Sequence, residues 1–185
     1  AQDYCAMALL MLQFRAPEVL ASHHARQWQP VFTTPIAGKT AVVIGFGDLG
    51  SAAGRAAHKL GLKVIAVTRS GKAGRPADAA CRVTRIEAVL PKADFVIITT
   101  PLTPGTRGLL NRARLDLLKP AAGLINIGRS PVVDYEALRE KLDKGELAGA
   151  VLDVHSPEPL PADSPLWTTR NLIITPHISC DDPRY

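Results

Sequence analysis

Six short runs of apolar, mostly β-branched residues recur along this chain, and they constrain its fold more than any other feature. They are Thr40–Ile44, Lys63–Thr68, Phe95–Thr100, Gly123–Ile127, Ala150–Val154 and Asn171–Thr175. Strands apolar almost throughout are buried on both faces, which is the habit of parallel sheets. Helical stretches are expected between them at Leu49–Leu60, Arg85–Leu90, Arg112–Leu117 and Tyr135–Lys144. In the last, Leu138 and Leu142 stand one turn apart and Asp134 is a natural N-cap. This alternation predicts an α/β fold, a doubly wound parallel sheet with helices on both faces. Right-handed crossovers place every strand's C-terminal end along one edge, where such sheets bind their ligands.

Residues 1–28 read as two helices, Ala1–Phe14 and a second starting at Pro17, and are expected at an interdomain or dimer contact. The first is apolar on nearly every side, so it needs cover from the same chain or from a second copy. Residues 29–38 read as a linker, and 39–180 as the sheet domain.

The sequence "VVIGFGDLGS" supplies the first functional signal. Gly45, Gly47 and Gly50 form GxGxxG directly after a predicted strand and at the opening of a predicted helix. In that setting the pattern marks a dinucleotide site of Rossmann type, with phosphates seated at the helix N-terminus. Gly45 allows the tight turn, Gly47 allows backbone to approach a pyrophosphate, and Gly50 lets helix and strand pack closely. A carboxylate for the ribose 2′-OH is expected about 20 residues later. Thr68, Arg69 and Ser70 stand there instead, followed by Lys72 and Arg75. A guanidinium and a hydroxyl suit a 2′-phosphate, so NADP(H) is the preferred cofactor, with NAD(H) allowed.

Three later strands each lead into a chemically able residue: Arg129 after "LINIG", Glu158 after "VLDVHSP", and His177 after "LIITP". Together they suit hydride transfer to a keto acid. Arg129 would hold the carboxylate and polarise the keto oxygen. His177 would give a proton to the developing alkoxide, and Glu158 would fix the imidazole's tautomer.

With these residues in place, the chain resembles the D-isomer-specific 2-hydroxyacid dehydrogenase family, which includes glyoxylate/hydroxypyruvate reductases, D-lactate dehydrogenases and phosphoglycerate dehydrogenases. The matching stretches are "GFGDLGSAAGRAAHKLGLKV", "ADFVIITTPLTPGTRGLLN", "LLKPAAGLINIGRSPVVD", "LAGAVLDVHSPEPLP" and "NLIITPHIS". The resemblance puts the catalytic arginine, glutamate and histidine on Arg129, Glu158 and His177. It implies cofactor contacts at Gly45, Phe46, Gly47, Asp48, Leu49 and Gly50, and at Thr68, Arg69 and Ser70. It implies others at Thr100, Pro101, Thr106, Ile127, Gly128 and Ser179, and at Asp153 near the nicotinamide carboxamide. It also implies a homodimer and a substrate-binding lobe that is largely missing from this chain.

The remaining composition narrows the classes. The net charge of +5 and pI of about 9.3 come without a Lys/Arg run or a recognition motif, so no nucleic-acid partner is expected. The apolar N-terminal stretch is too short to span a bilayer, so no membrane partner is expected. Cys5, Cys81 and Cys180 are widely spaced, which fits free thiols in the cytoplasm. No metal site is expected. The competing reading from another class is a cofactor-sensing binding module, corepressor-like and without turnover.

Overall fold

A computed structural model describes residues 1–180. Seven parallel strands form one sheet: β1 (Thr40–Ile44), β2 (Lys63–Thr68), β3 (Ala79–Arg82), β4 (Phe95–Ile98), β5 (Gly123–Asn126), β6 (Gly149–Leu152) and β7 (Leu172–Ile174). Their spatial order is β3-β2-β1-β4-β5-β6-β7. The order reverses between β1 and β4, and that switch point opens the crevice in which such sheets hold ligands. All six pairings are parallel, so every strand's C-terminal end lies on one edge.

Five α-helices accompany the sheet: α1 (Gln2–Gln13), α2 (Ala16–His24), α3 (Asp48–Lys59), α4 (Arg112–Leu115) and α5 (Tyr135–Asp143). One core, containing Val42, Val96, Leu124 and Leu138, fills one face of the sheet. The second contains Leu9, Val43, Ala53 and Ile125 and fills the other. Successive residues of β1, Val42 and Val43, therefore feed opposite cores, the period-2 placement of a strand covered on both sides. The α5 helix starts where its cap predicts: the Asp134 carboxylate accepts a hydrogen bond from Ala137 N at 3.0 Å.

The expected apolar first helix is more one-sided than its sequence suggests. Tyr4, Cys5, Ala8, Leu9, Leu12 and Gln13 are buried, while Met7 and Phe14 are exposed. This face packs on α3 and β5, so its cover comes from the same chain. Gly123 and Gly149 make room for it, since a Cβ on either would lie 2.9 or 3.0 Å from a Leu12 methyl carbon. No single helix among the described residues is long and apolar enough to cross a membrane.

Three details differ from expectation. β3 was not among the expected strands, because its sequence AACR lacks β-branched residues and this edge strand is mostly exposed. The stretch expected as a helix at Arg85–Leu90 forms tight 3-10 turns, with Arg85 at non-helical angles; Pro91 disfavours helical backbone at the residue before it. The helix expected at Arg112–Leu117 is a single turn ending at Leu115.

Candidate active site

The loop between β1 and α3 has the backbone that its glycines allow. Gly45 has a φ of +90°, and a Cβ there would meet the Thr100 side chain at 2.9 Å. At Gly50 a Cβ would fall 2.2 Å from the Gly45 carbonyl oxygen, so helix and loop touch only because the side chain is absent. Thr99 locks the arrangement, its hydroxyl donating to the Ile44 and Gly45 carbonyls at 3.1 and 3.0 Å. Gly47 differs in that a Cβ there would point into open space. It precedes the first turn of α3, whose unpaired N–H groups and positive dipole end face the crevice.

A cleft of about 600 Å³ runs along this edge. Of the residues named above as cofactor contacts, 45–50, Thr68, Arg69, Thr100, Pro101 and Thr106 line it, and Ser70 does not. The Thr100 hydroxyl oxygen is buried without a hydrogen-bond partner. A buried polar group in that state is one that a bound ligand would satisfy. Together with the open space at Gly47, it makes this cleft fit a dinucleotide. Thr68 and Ser70 side chains close their own turn, accepting from Gly71 N at 2.9 Å and Lys72 N at 3.2 Å respectively. Arg69 is exposed and has no ion-pair or hydrogen-bond partner for its side chain among the described residues.

The far end of the same edge carries the three chemically able residues. His177 Nδ1 lies 2.8 Å from Glu158 Oε2, and Glu158 Oε1 accepts from His155 N at 2.7 Å. These bonds, the one from His177 foremost, hold the Glu158 carboxyl below the usual glutamate range. With Nδ1 given to the carboxylate, Nε2 is the ring nitrogen left for a ligand. His177 itself sits at a φ of +57°, an uncommon backbone for a residue with a side chain. Beside it lies an apolar hollow of about 660 Å³ lined by Leu160, Trp167 and Ile174, among others.

Asp153 explains how that turn is held. It is fully buried, and its carboxylate accepts from the Thr175 hydroxyl, from Ile178 N at 2.9 Å and from Ser179 N at 2.8 Å. The resemblance implies a nicotinamide contact for this residue; here its carboxylate faces the protein and holds the Thr175 side chain before His177 and the Ile178 and Ser179 backbone after it. Ser179, Ile127 and Gly128 are likewise buried and lie outside the cleft lining.

Arg129 stands at the end of β5, next to the β6 end that leads to Glu158. It is exposed, and its Nη1 donates to the Gly128 carbonyl at 2.6 Å. A buried polar bridge that sequence reasoning missed ties its loop to the Glu158 loop. Asn126 Nδ2 donates to the Arg129 carbonyl at 3.3 Å and to the Tyr135 hydroxyl at 2.9 Å, while its Oδ1 accepts from Gly128 N at 3.0 Å. The Tyr135 hydroxyl donates in turn to the Val154 carbonyl at 2.8 Å. The available signal was Asn126 itself, a polar residue inside a fully buried strand.

Comparison with known proteins matches this arrangement to one family. The family model described as "D-isomer specific 2-hydroxyacid dehydrogenase, NAD binding domain" covers residues 6–179. The chain belongs to this family. A glyoxylate reductase of Pyrococcus furiosus is 39% identical over 141 residues, covering 76% of this chain and 42% of the relative. A glyoxylate/hydroxypyruvate reductase B of Yersinia pestis is 38% identical over 184 residues, covering 93% of this chain and 55% of the relative. A D-isomer specific 2-hydroxyacid dehydrogenase of Xanthobacter autotrophicus Py2, solved in complex with NADPH and MES, superposes with a TM-score of 0.87 at 34% identity, covering 96% of this chain and 57% of that one. This 2-hydroxyacid dehydrogenase domain therefore spans about half the length of the curated relatives it matches.

Proposed function

We propose that this chain is the cofactor-binding half of a reductase that transfers a hydride from NADPH to a small 2-keto acid of the glyoxylate or hydroxypyruvate type. The observation that carries the reading is the Glu158–His177 pair, at 2.8 Å, on the same sheet edge as the glycine loop. Bound nicotinamide would supply the hydride. Residues 45–50 and the N-terminus of α3 would hold the pyrophosphate, and Arg69 with Ser70 the 2′-phosphate. Arg129, with its remaining N–H groups unengaged by other described residues, holds the substrate carboxylate and polarises the keto oxygen. His177, steadied by Glu158, releases a proton from Nε2 to that oxygen as it becomes an alkoxide. A second lobe completes the cleft and excludes water, and the working assembly is a homodimer.

The test is NADPH oxidation with glyoxylate, hydroxypyruvate and pyruvate, followed by absorbance, for the chain joined to its substrate-binding lobe. Turnover that falls by about 100-fold or more in His177→Gln supports the assignment, in line with the contribution of a general acid. Full activity in that variant removes His177 as the acid.

A further inference from the structure

On the outer side of the Arg69–Lys72 turn lies a second hollow, of about 460 Å³, that shares only Ser70 with the residues assigned above. Its lining includes Ser70, Lys72, Arg82, Arg85 and Lys92, and no carboxylate. Parallel pairing puts Arg82 directly beside Thr68, at the β2 end where the ribose is expected. Arg82 packs so closely over the turn that a Cβ on Gly71 would lie 2.7 Å from its Cγ.

The charge around this hollow is uncompensated. Several arginines and lysines elsewhere do find acidic partners, such as Arg112 with Glu140, Arg114 with Glu87, Lys119 with Asp94, and Lys141 with Asp116, while others stand singly at the surface; here four are gathered around one hollow. Among the described residues none of Lys72, Arg82, Arg85 and Lys92 forms an ion pair. Like charges gathered without counter-charges repel one another, and an anion seated among them relieves that cost.

The turn itself is the partition. Arg69 lines the dinucleotide cleft, whereas Ser70 and Lys72 line the hollow. We propose that Lys72, Arg82 and Arg85 form the outer wall of a phosphate-monoester site on this turn, gripping the dinucleotide's 2′-phosphate from the side opposite Arg69. The inference rests on the NADPH reading and extends it from one turn to two strands and the segment after β3. A phosphate monoester presents three acceptor oxygens and nearly two negative charges, more than one guanidinium can satisfy.

The experiment titrates the chain with 2′,5′-ADP and with 5′-AMP by calorimetry, which needs no turnover. The wild-type chain is expected to bind 2′,5′-ADP more tightly. Arg82→Gln and Arg85→Gln, both at exposed positions, are each expected to weaken 2′,5′-ADP by roughly tenfold, the scale of one charge-assisted contact, and to leave 5′-AMP unchanged. Alkylation of Cys81, which also lines the hollow, gives a second readout in a Cys180→Ser background: 2′,5′-ADP should slow it and 5′-AMP should not. If the wild type prefers 2′,5′-ADP and both variants keep that preference, the outer wall is wrong while the NADPH reading stands. No preference in the wild type defeats both. Equal weakening of the two ligands assigns Arg82 and Arg85 to the fold and overturns the proposal. Protection of Cys81 by inorganic phosphate, with 2′,5′-ADP binding insensitive to Arg82, assigns the hollow to a free phosphate and overturns it as well.

Discussion

The Tyr4 hydroxyl, on the first helix, lies 2.6 Å from the Thr175 hydroxyl at the end of the last strand. Since Thr175 donates to Asp153, Tyr4 is the donor in this pair. The N-terminal helix is thereby tied to the turn that carries His177. Tyr4→Phe removes the bond without emptying the space around the ring, and should cost about 0.5–1.5 kcal/mol in urea denaturation.

Asp153 is the harder residue to lose. Asp153→Ala leaves one hydroxyl and two backbone N–H groups without their acceptor in a buried place. It should destabilise the chain by about 2 kcal/mol or more, since each orphaned group carries its own desolvation cost. The His177 ring resonances should also shift in NMR spectra, because the turn is released on both sides of it. Unchanged ring resonances would separate Asp153 from the placement of His177.

Two glycines of one loop should fail in different ways. Gly50→Ala drives a methyl group against the Gly45 carbonyl and should lower stability by about 1–3 kcal/mol, the scale of an overpacked site. Gly47→Ala meets nothing and keeps a negative φ, so it should cost under about 1 kcal/mol as a poorer cap. Its effect should appear in dinucleotide binding, as a fall in NADPH affinity measured by fluorescence.

The Glu158 carboxyl sets a pH dependence with a defined sign. Its folded value is depressed, so the bonds from His177 and His155 contribute stability above the ordinary glutamate range, and that contribution is lost as pH falls through the lowered folded value. Glu158 is 37% exposed at its side chain, so solvent screens the pair and the increment is small. Denaturation curves of wild type and Glu158→Gln should differ at neutral pH and converge in acid.

Much of this was legible beforehand because burial on both faces writes itself into composition. β1, β2 and β4 to β7 were readable as apolar runs, and the glycine loop followed from where its three glycines stood. β3 was not, since an exposed edge strand needs no apolar residue to hold it. The Glu158–His177 contact could be anticipated from strand ends meeting at one edge. The Asn126–Tyr135–Val154 bridge could not, because it joins a strand, a helix start and a loop whose register appears only in three dimensions. Asp153 shows the same limit: its place after an apolar run is visible in sequence, but the three donors that converge on it are not.

A Cβ on Gly128 would lie 2.7 Å from the Thr100 carbonyl oxygen and 3.1 Å from the Thr100 amide nitrogen. Both are main-chain atoms, which cannot step aside as a side-chain tip can. A mutagenic library aimed at new substrates should therefore leave codon 128 alone and place its diversity around the roomier Leu160 and Trp167, where the lining is made of side chains that can be exchanged.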